Sequence, residues 1–167
     1  MAQTKLGEAT VEINGELPAV GTQAPDFKLA STELKEVSLK DFAGKNIILN
    51  IFPSIDTRVC ATSVREFNKR AVAIPNTVVL SVSKDLPFAH KRFCAAEGID
   101  NVILLSDFLN RGFSKDYGVL MVTGAFTGLH ARAIVVINPK GLIKHTELVP
   151  VIGQEPNYDA ALNAVTR

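Results

Sequence analysis

Two cysteines are the residues of this 167-residue chain best suited to covalent chemistry. The first closes the string N-I-F-P-S-I-D-T-R-V-C, residues 50–60. The thiolate is the reactive form of cysteine, and an unperturbed thiol has a pKa of about 8.5. A reactive site must therefore supply positive charge or hydrogen-bond donors. Thr57 stands close enough before Cys60 for its hydroxyl to reach the sulfur or whatever the sulfur attacks. Pro53 fixes the backbone and can shield the site from water. The plain alternative is that Cys60 is a small apolar residue packed beneath a strand. Spacing alone leaves both readings open.

The second cysteine, Cys94, sits in L-P-F-A-H-K-R-F-C-A-A-E. On helical spacing it is either a core residue beside Phe93 or a thiol that resolves an oxidised Cys60. The two do not form a C-x-x-C, so nothing local brings the sulfurs together. Arg132, in H-A-R-A-I-V-V-I, either points to solvent at a strand edge or turns inward to offer its fork of donors. His90, His130 and His145 are scattered and read as surface residues. Paired carboxylates at a useful spacing and a glycine-rich phosphate loop are both lacking.

The elements that must position these residues follow from periodicity. Asn46 to Phe52 (N-I-I-L-N-I-F) is short and mostly apolar, as a strand buried on both faces should be. After it, Val64, Phe67 and Ala71 recur at helical spacing. Either Thr57 caps that helix, placing Cys60 in its first turn, or Ser63 with Glu66 forms a capping box one turn later. Both choices put the sulfur near a helix N-terminus, where unpaired N–H groups favour negative charge. Thr77–Val82 is a second buried strand. Asp85 reads as the cap of a helix with proline in its first turn, ending at Gly98. Asn101–Leu105 is a third strand and Asn110–Tyr117 a short helix. Ala133–Ile137 and Leu142–His145 flank N-P-K-G as a hairpin, and Tyr158–Val165 closes the chain as a helix. Residues 1–20 read as an appended hairpin, with a turn at Gly7-Glu8 or Asn14-Gly15. Alternating strands and helices indicate an α/β sandwich of the thioredoxin type.

Bulk properties set the outer limits. The length fits one domain, residues 1–167, large enough to fold without a disulfide or metal. Eighteen Lys and Arg against seventeen Asp and Glu, without blocks, argue against nucleic acid or a strongly charged partner. No run approaches the ~18 apolar residues of a membrane span. The N-terminus lacks a signal-peptide pattern, so the cytoplasm is expected. There, a cysteine pair more often means redox or metal chemistry than a structural disulfide. Two cysteines 34 residues apart make a poor zinc set.

Pro53, Thr57 and Cys60 match the P-x-x-x-[TS]-x-x-C signature of the peroxiredoxins. The surrounding string resembles the bacterial thiol peroxidase branch of that family. So do G-T-Q-A-P-D-F at 21–27, S-K-D-L-P-F-A at 83–89, R-F-C at 92–94 and A-R-A-I-V-V-I at 131–137. The likeness spans essentially the whole chain. It implies a thioredoxin-like fold of the peroxiredoxin type with an N-terminal β-hairpin. It implies that Cys60 is the peroxidatic cysteine and Cys94 the resolving cysteine of the atypical two-cysteine type, pairing within one subunit. Thr57 and Arg132 match the residues that activate the sulfur and bind peroxide, and Pro53 the one that shields it. Arg58 stands at a variable position of the motif.

The activity so implied is reduction of hydrogen peroxide and of alkyl or lipid hydroperoxides, with thioredoxin as reductant, in a homodimer without metal or cofactor. A disulfide needs Cα atoms within about 7 Å. Cysteines on successive helices are not expected to start so close, and the end of the Cys94 helix, Ala95 to Gly98, is expected to unwind. Two rival classes are a disulfide oxidoreductase without peroxidase activity, and a redox-sensing or chaperone-like protein using Cys60 only as a switch. Turnover of peroxide with thioredoxin separates them from a peroxidase.

Overall fold

A computed structural model describes residues 2–166. Its centre is β5 (Asn46–Ile51), the N-I-I-L-N-I strand, with Ile47 to Ile51 all buried. Alternation along a strand sends successive side chains to opposite faces. Ile47, Leu49 and Ile51 accordingly join one apolar cluster, and Ile48 with Phe52 joins the other. Burial of each such aliphatic side chain contributes roughly 1.5–3 kcal/mol.

Seven strands form the main sheet in the order β4-β3-β7-β6-β5-β8-β9. These are β3 (Lys28–Ser31), β4 (Glu36–Ser38), β6 (Thr77–Ser83), β7 (Ile103–Ser106), β8 (Ala133–Ile137) and β9 (Ile143–Leu148) around β5. β5 runs parallel to β6 and antiparallel to β8. One face is covered by α1 (Arg58–Ala71), α2 (Pro87–Glu97) and α4 (Tyr158–Thr166), through Val64, Phe67, Phe93, Ala161 and Ala164. The other carries α3 (Phe113–Asp116) and the loop at Phe27, where Phe27, Phe113 and Tyr117 pack as an aromatic trio. This layered mixed sheet is the expected thioredoxin-like α/β fold.

The N-terminal hairpin forms from β1 (Gln3–Leu6) and β2 (Ala9–Glu12), turning at Gly7-Glu8. Val11 and Ile13 anchor it against Met121, Ala131 and Ile152. The β3–β4 hairpin carries no clear sequence signal. Its strands have four and three residues, and its turn places Leu34 rather than glycine or asparagine at positive φ. No helix of the described residues is long and apolar enough to cross a membrane.

Candidate active site

β5 ends at Ile51, and its ladder continues one residue further through the Phe52 N–H bond to Val82 O. The chain then turns through Pro53, which is buried, and begins α1 at Arg58. Thr57 is the N-cap residue, so Cys60 is the third residue of the helix, within its first turn. First-turn amides have no acceptor inside the helix. The alternative start at Ser63 is excluded. Ser63 lies buried within α1, donating from Oγ to the Cys60 carbonyl at 2.7 Å and accepting from Asn50 Nδ2 at 3.1 Å. A polar rope thus ties the Cys60 backbone to β5.

Arg132 decides the electrostatics. It is 1% exposed, so the solvent-facing alternative is wrong. Nε donates to the Ile152 carbonyl at 2.8 Å, and Nη2 donates to Cys60 Sγ at 3.2 Å. Nη1 is buried and has no partner among the described residues. Cys60 is itself fully buried. The antiparallel register explains this meeting. Ile51 pairs with Ala133, so Arg132 lies beside the point where β5 hands over to the cysteine turn.

Thr57 does not bond to the sulfur. Its hydroxyl donates to the Ser54 carbonyl at 2.9 Å, leaving the oxygen as an acceptor only. It borders a cleft of about 370 Å³ between the α1 start and α2, lined by Ile55, Ala61, Phe93, Arg58 and Arg92 among others. Arg58 is exposed on the cleft. A hollow of about 390 Å³ lies at the other end of β5, against Ile47 and Ile137. It is remote from the Cys60 end of the strand.

Cys94 occupies the last turn of α2. Its carbonyl accepts the N–H of Gly98, which is left-handed at φ 65°, and of Ile99 at 3.0 Å. It is half-buried against the same apolar cluster that contains Cys60, and both cysteines are free thiols. Desolvation pushes the Cys94 pKa upward. Exposed ion pairs Arg92–Asp56, at 3.0 Å, and Arg65–Glu97 fasten α2 to the α1 side. Exposed pairs of this kind are worth about 0–1 kcal/mol each, so α2 is held but not locked by them.

Two sequence expectations need correction. His90 and His130 are not surface residues, for both are fully buried. His90 Nε2 lies 2.9 Å from Ser83 Oγ, and His130 Nε2 lies 2.9 Å from Asp107 Oδ2. A histidine is buried where such a partner compensates its desolvation. Asp85 does not cap α2, whose N-cap is Leu86 with no side-chain cap bond. Its carboxylate turns instead to Ser54 and Ile55. The sequence signal that could have found this was weak, an S-x-D pair at a strand end. No local signal marked the Ile152 carbonyl.

The family described as Redoxin matches residues 19–162. The chain is 56% identical over 165 residues to the thiol peroxidase of Mycobacterium tuberculosis, covering 99% of each chain. The chain belongs to the peroxiredoxin family. Within this peroxiredoxin's family, the thiol peroxidase of Corynebacterium glutamicum is 50% identical over 165 residues, again 99% of each. A peroxiredoxin-like protein from Aquifex aeolicus superposes with a TM-score of 0.94 at 37% identity, covering 99% of this chain and 96% of that one. The chain is thus an oxidoreductase, a thiol peroxidase of the peroxiredoxin type.

Proposed function

We propose that Cys60 is the peroxidatic nucleophile and Cys94 its resolving partner, in one functional domain spanning residues 1–167. The observation that carries this is the Arg132 fork: one donor on Cys60 Sγ, a second anchored on Ile152 O, and a third buried and unpaired. A thiolate gains more from such a donor than a thiol does, and the spare donor suits a substrate oxygen.

The Cys60 thiolate attacks the terminal oxygen of a hydroperoxide. An S–O bond forms and the O–O bond breaks. The second oxygen leaves as hydroxide or alkoxide and takes a proton from solvent, replacing the one the thiol had released, to give water or alcohol. Arg132 stabilises the charge passing between the oxygens, and the Cys60 N–H at the helix start adds a donor. Thr57 accepts the hydrogen of the peroxide O–H, because its own hydrogen is engaged with Ser54. Pro53 keeps water from the sulfur. The Cys60 sulfenic acid then condenses with the Cys94 thiol, forming the disulfide and releasing water. A thioredoxin-type dithiol reduces the disulfide and is itself oxidised.

Within α2 the Cys94 thiol is held protonated by burial, and opening of the helix end at Gly98 frees it to react. Family resemblance supports hydrogen peroxide and organic hydroperoxides as substrates, a homodimer, and a cytoplasmic setting. The deciding experiment measures peroxide consumption with a thioredoxin system. Cys60→Ser must abolish it, and retained consumption in that variant rejects the reading.

A further inference from the structure

One carboxylate outside the cysteine turn holds that turn in shape. Asp85 lies just past the end of β6, with a side chain 12% exposed. Its Oδ1 accepts the Ser54 hydroxyl at 2.7 Å. Its Oδ2 accepts the Ile55 N–H at 2.7 Å and the Ser83 hydroxyl at 2.5 Å. The Ser54 carbonyl in turn accepts both the N–H and the hydroxyl of Thr57, at 3.1 and 2.9 Å.

A continuous set of bonds therefore runs from Asp85 through Ser54 to the Thr57 oxygen. The residue stands directly before the Leu86-Pro87 helix start, a place suited to capping, yet its carboxylate bonds to none of the α2 amides. It is spent on the turn instead. The Ser83 hydroxyl has one hydrogen, given to Asp85, so it accepts from His90 Nε2–H at 2.9 Å. His90 belongs to α2, so the helix that carries Cys94 is tied to the same hub. An ionised carboxylate is an acceptor only, and three donors converge here on its two oxygens. Asparagine at this position would turn an amide against one or more of those donors.

We propose that Asp85 is a positioning residue for peroxide reduction: by clamping Ser54 and Ile55 it sets Thr57 with its acceptor face toward the substrate. The inference rests on the reading of Cys60 and Thr57 given above. Asp85 touches neither substrate nor sulfur. Its effect is on orientation, and misplacement of a reacting group by about 1 Å can cost on the order of a hundredfold in rate.

The test uses the reduced full-length chain with hydrogen peroxide in single-turnover stopped flow. Alkylation of Cys60 by iodoacetamide, in a Cys94→Ser background, serves as a readout that needs the thiol but no peroxide O–H. Asp85→Asn is expected to slow peroxide reduction by about tenfold to a hundredfold while alkylation stays within about twofold. Asp85→Asn added to Thr57→Val is expected to cause no further loss, because both act through one hydroxyl. A peroxide rate within twofold of the parent, a parallel fall in alkylation, or additive losses would each overturn the proposal. Ser54→Ala removes one arm of the clamp without touching Asp85 and decides the matter if Asp85→Asn does not fold. It should slow peroxide reduction several-fold with alkylation unchanged, and an unchanged peroxide rate rejects the clamp. Consumption that persists in Cys60→Ser would fail the underlying reading, whereas a dead Cys60→Ser beside a normal Asp85→Asn fails only the role of Asp85.

Discussion

The guanidinium of Arg132 sits 3.2 Å from Cys60 Sγ with both residues sealed from solvent. Anchoring of Nε on the Ile152 carbonyl fixes the plane of the fork, so Nη2 meets the sulfur in one orientation. Low-dielectric surroundings make such an interaction stronger than it would be in water.

Arg132→Lys keeps a charge but loses the planar fork, and Arg132→Met loses both. Each should lower the second-order rate of peroxide reduction by about 10²–10³, the usual effect of removing one preorganised donor. Stopped-flow mixing with hydrogen peroxide measures it. Arg132→Met also leaves the buried Ile152 carbonyl without its partner, at about 1–3 kcal/mol of stability.

Cys94→Ser should reduce one equivalent of peroxide per chain and then stop, because no disulfide forms for thioredoxin to reduce. Normal cycling would remove Cys94 from the mechanism. In the Cys60→Ser chain, burial in α2 raises the Cys94 pKa. Its alkylation should then rise with pH later than that of a free cysteine measured alongside.

Burial holds His90 neutral, with its pKa lowered from 6.5 to about 4 against the opposing pull of Asp85. The unfolded chain takes up a proton below about 6.5, where the folded chain does not. The stability tied to this group is whole above that pH and is lost as pH falls toward 4. The loss amounts to roughly 3 kcal/mol. Urea unfolding of the parent and of His90→Gln between pH 7 and 4 isolates the effect. The parent's curve should fall more steeply, and identical slopes would refute it.

Gly118 has φ +62°, and a Cβ there would lie 2.1 Å from the Glu16 carbonyl oxygen. Backbone cannot yield as a flexible side chain can. Gly118→Ala should destabilise the chain by roughly 2–5 kcal/mol, combining left-handed strain with overpacking. A lowered melting temperature by circular dichroism checks it.

The central strand and the helix after it were legible because their signals are local. N-I-I-L-N-I reads as a buried strand, and the spacing of Val64, Phe67 and Ala71 reads as a helix, without knowledge of any neighbour. The family motif marked the same turn from the sequence. The β3–β4 hairpin was not legible, since its strands are too short to show a period and its turn breaks the usual residue preference at Leu34.

By itself the sequence determined that a cysteine stands near a helix N-terminus, after a buried strand; it left the cap open between Thr57 and Ser63, and the structure chose Thr57. Periodicity and capping need only residues a few positions apart. The family motif pointed to Arg132, but only tertiary structure decided which polar atoms meet the cysteine and its turn. Arg132 reaches Cys60 from 72 positions away because β8 pairs with β5 in one register. Asp85 serves the cysteine turn and not its own helix because β6 ends beside that turn, and His90 is buried because Ser83 waits for it. A charged or titratable side chain looks the same in sequence whether water or a distant residue solvates it, so the partner that makes burial tolerable is known only once the strands are in register.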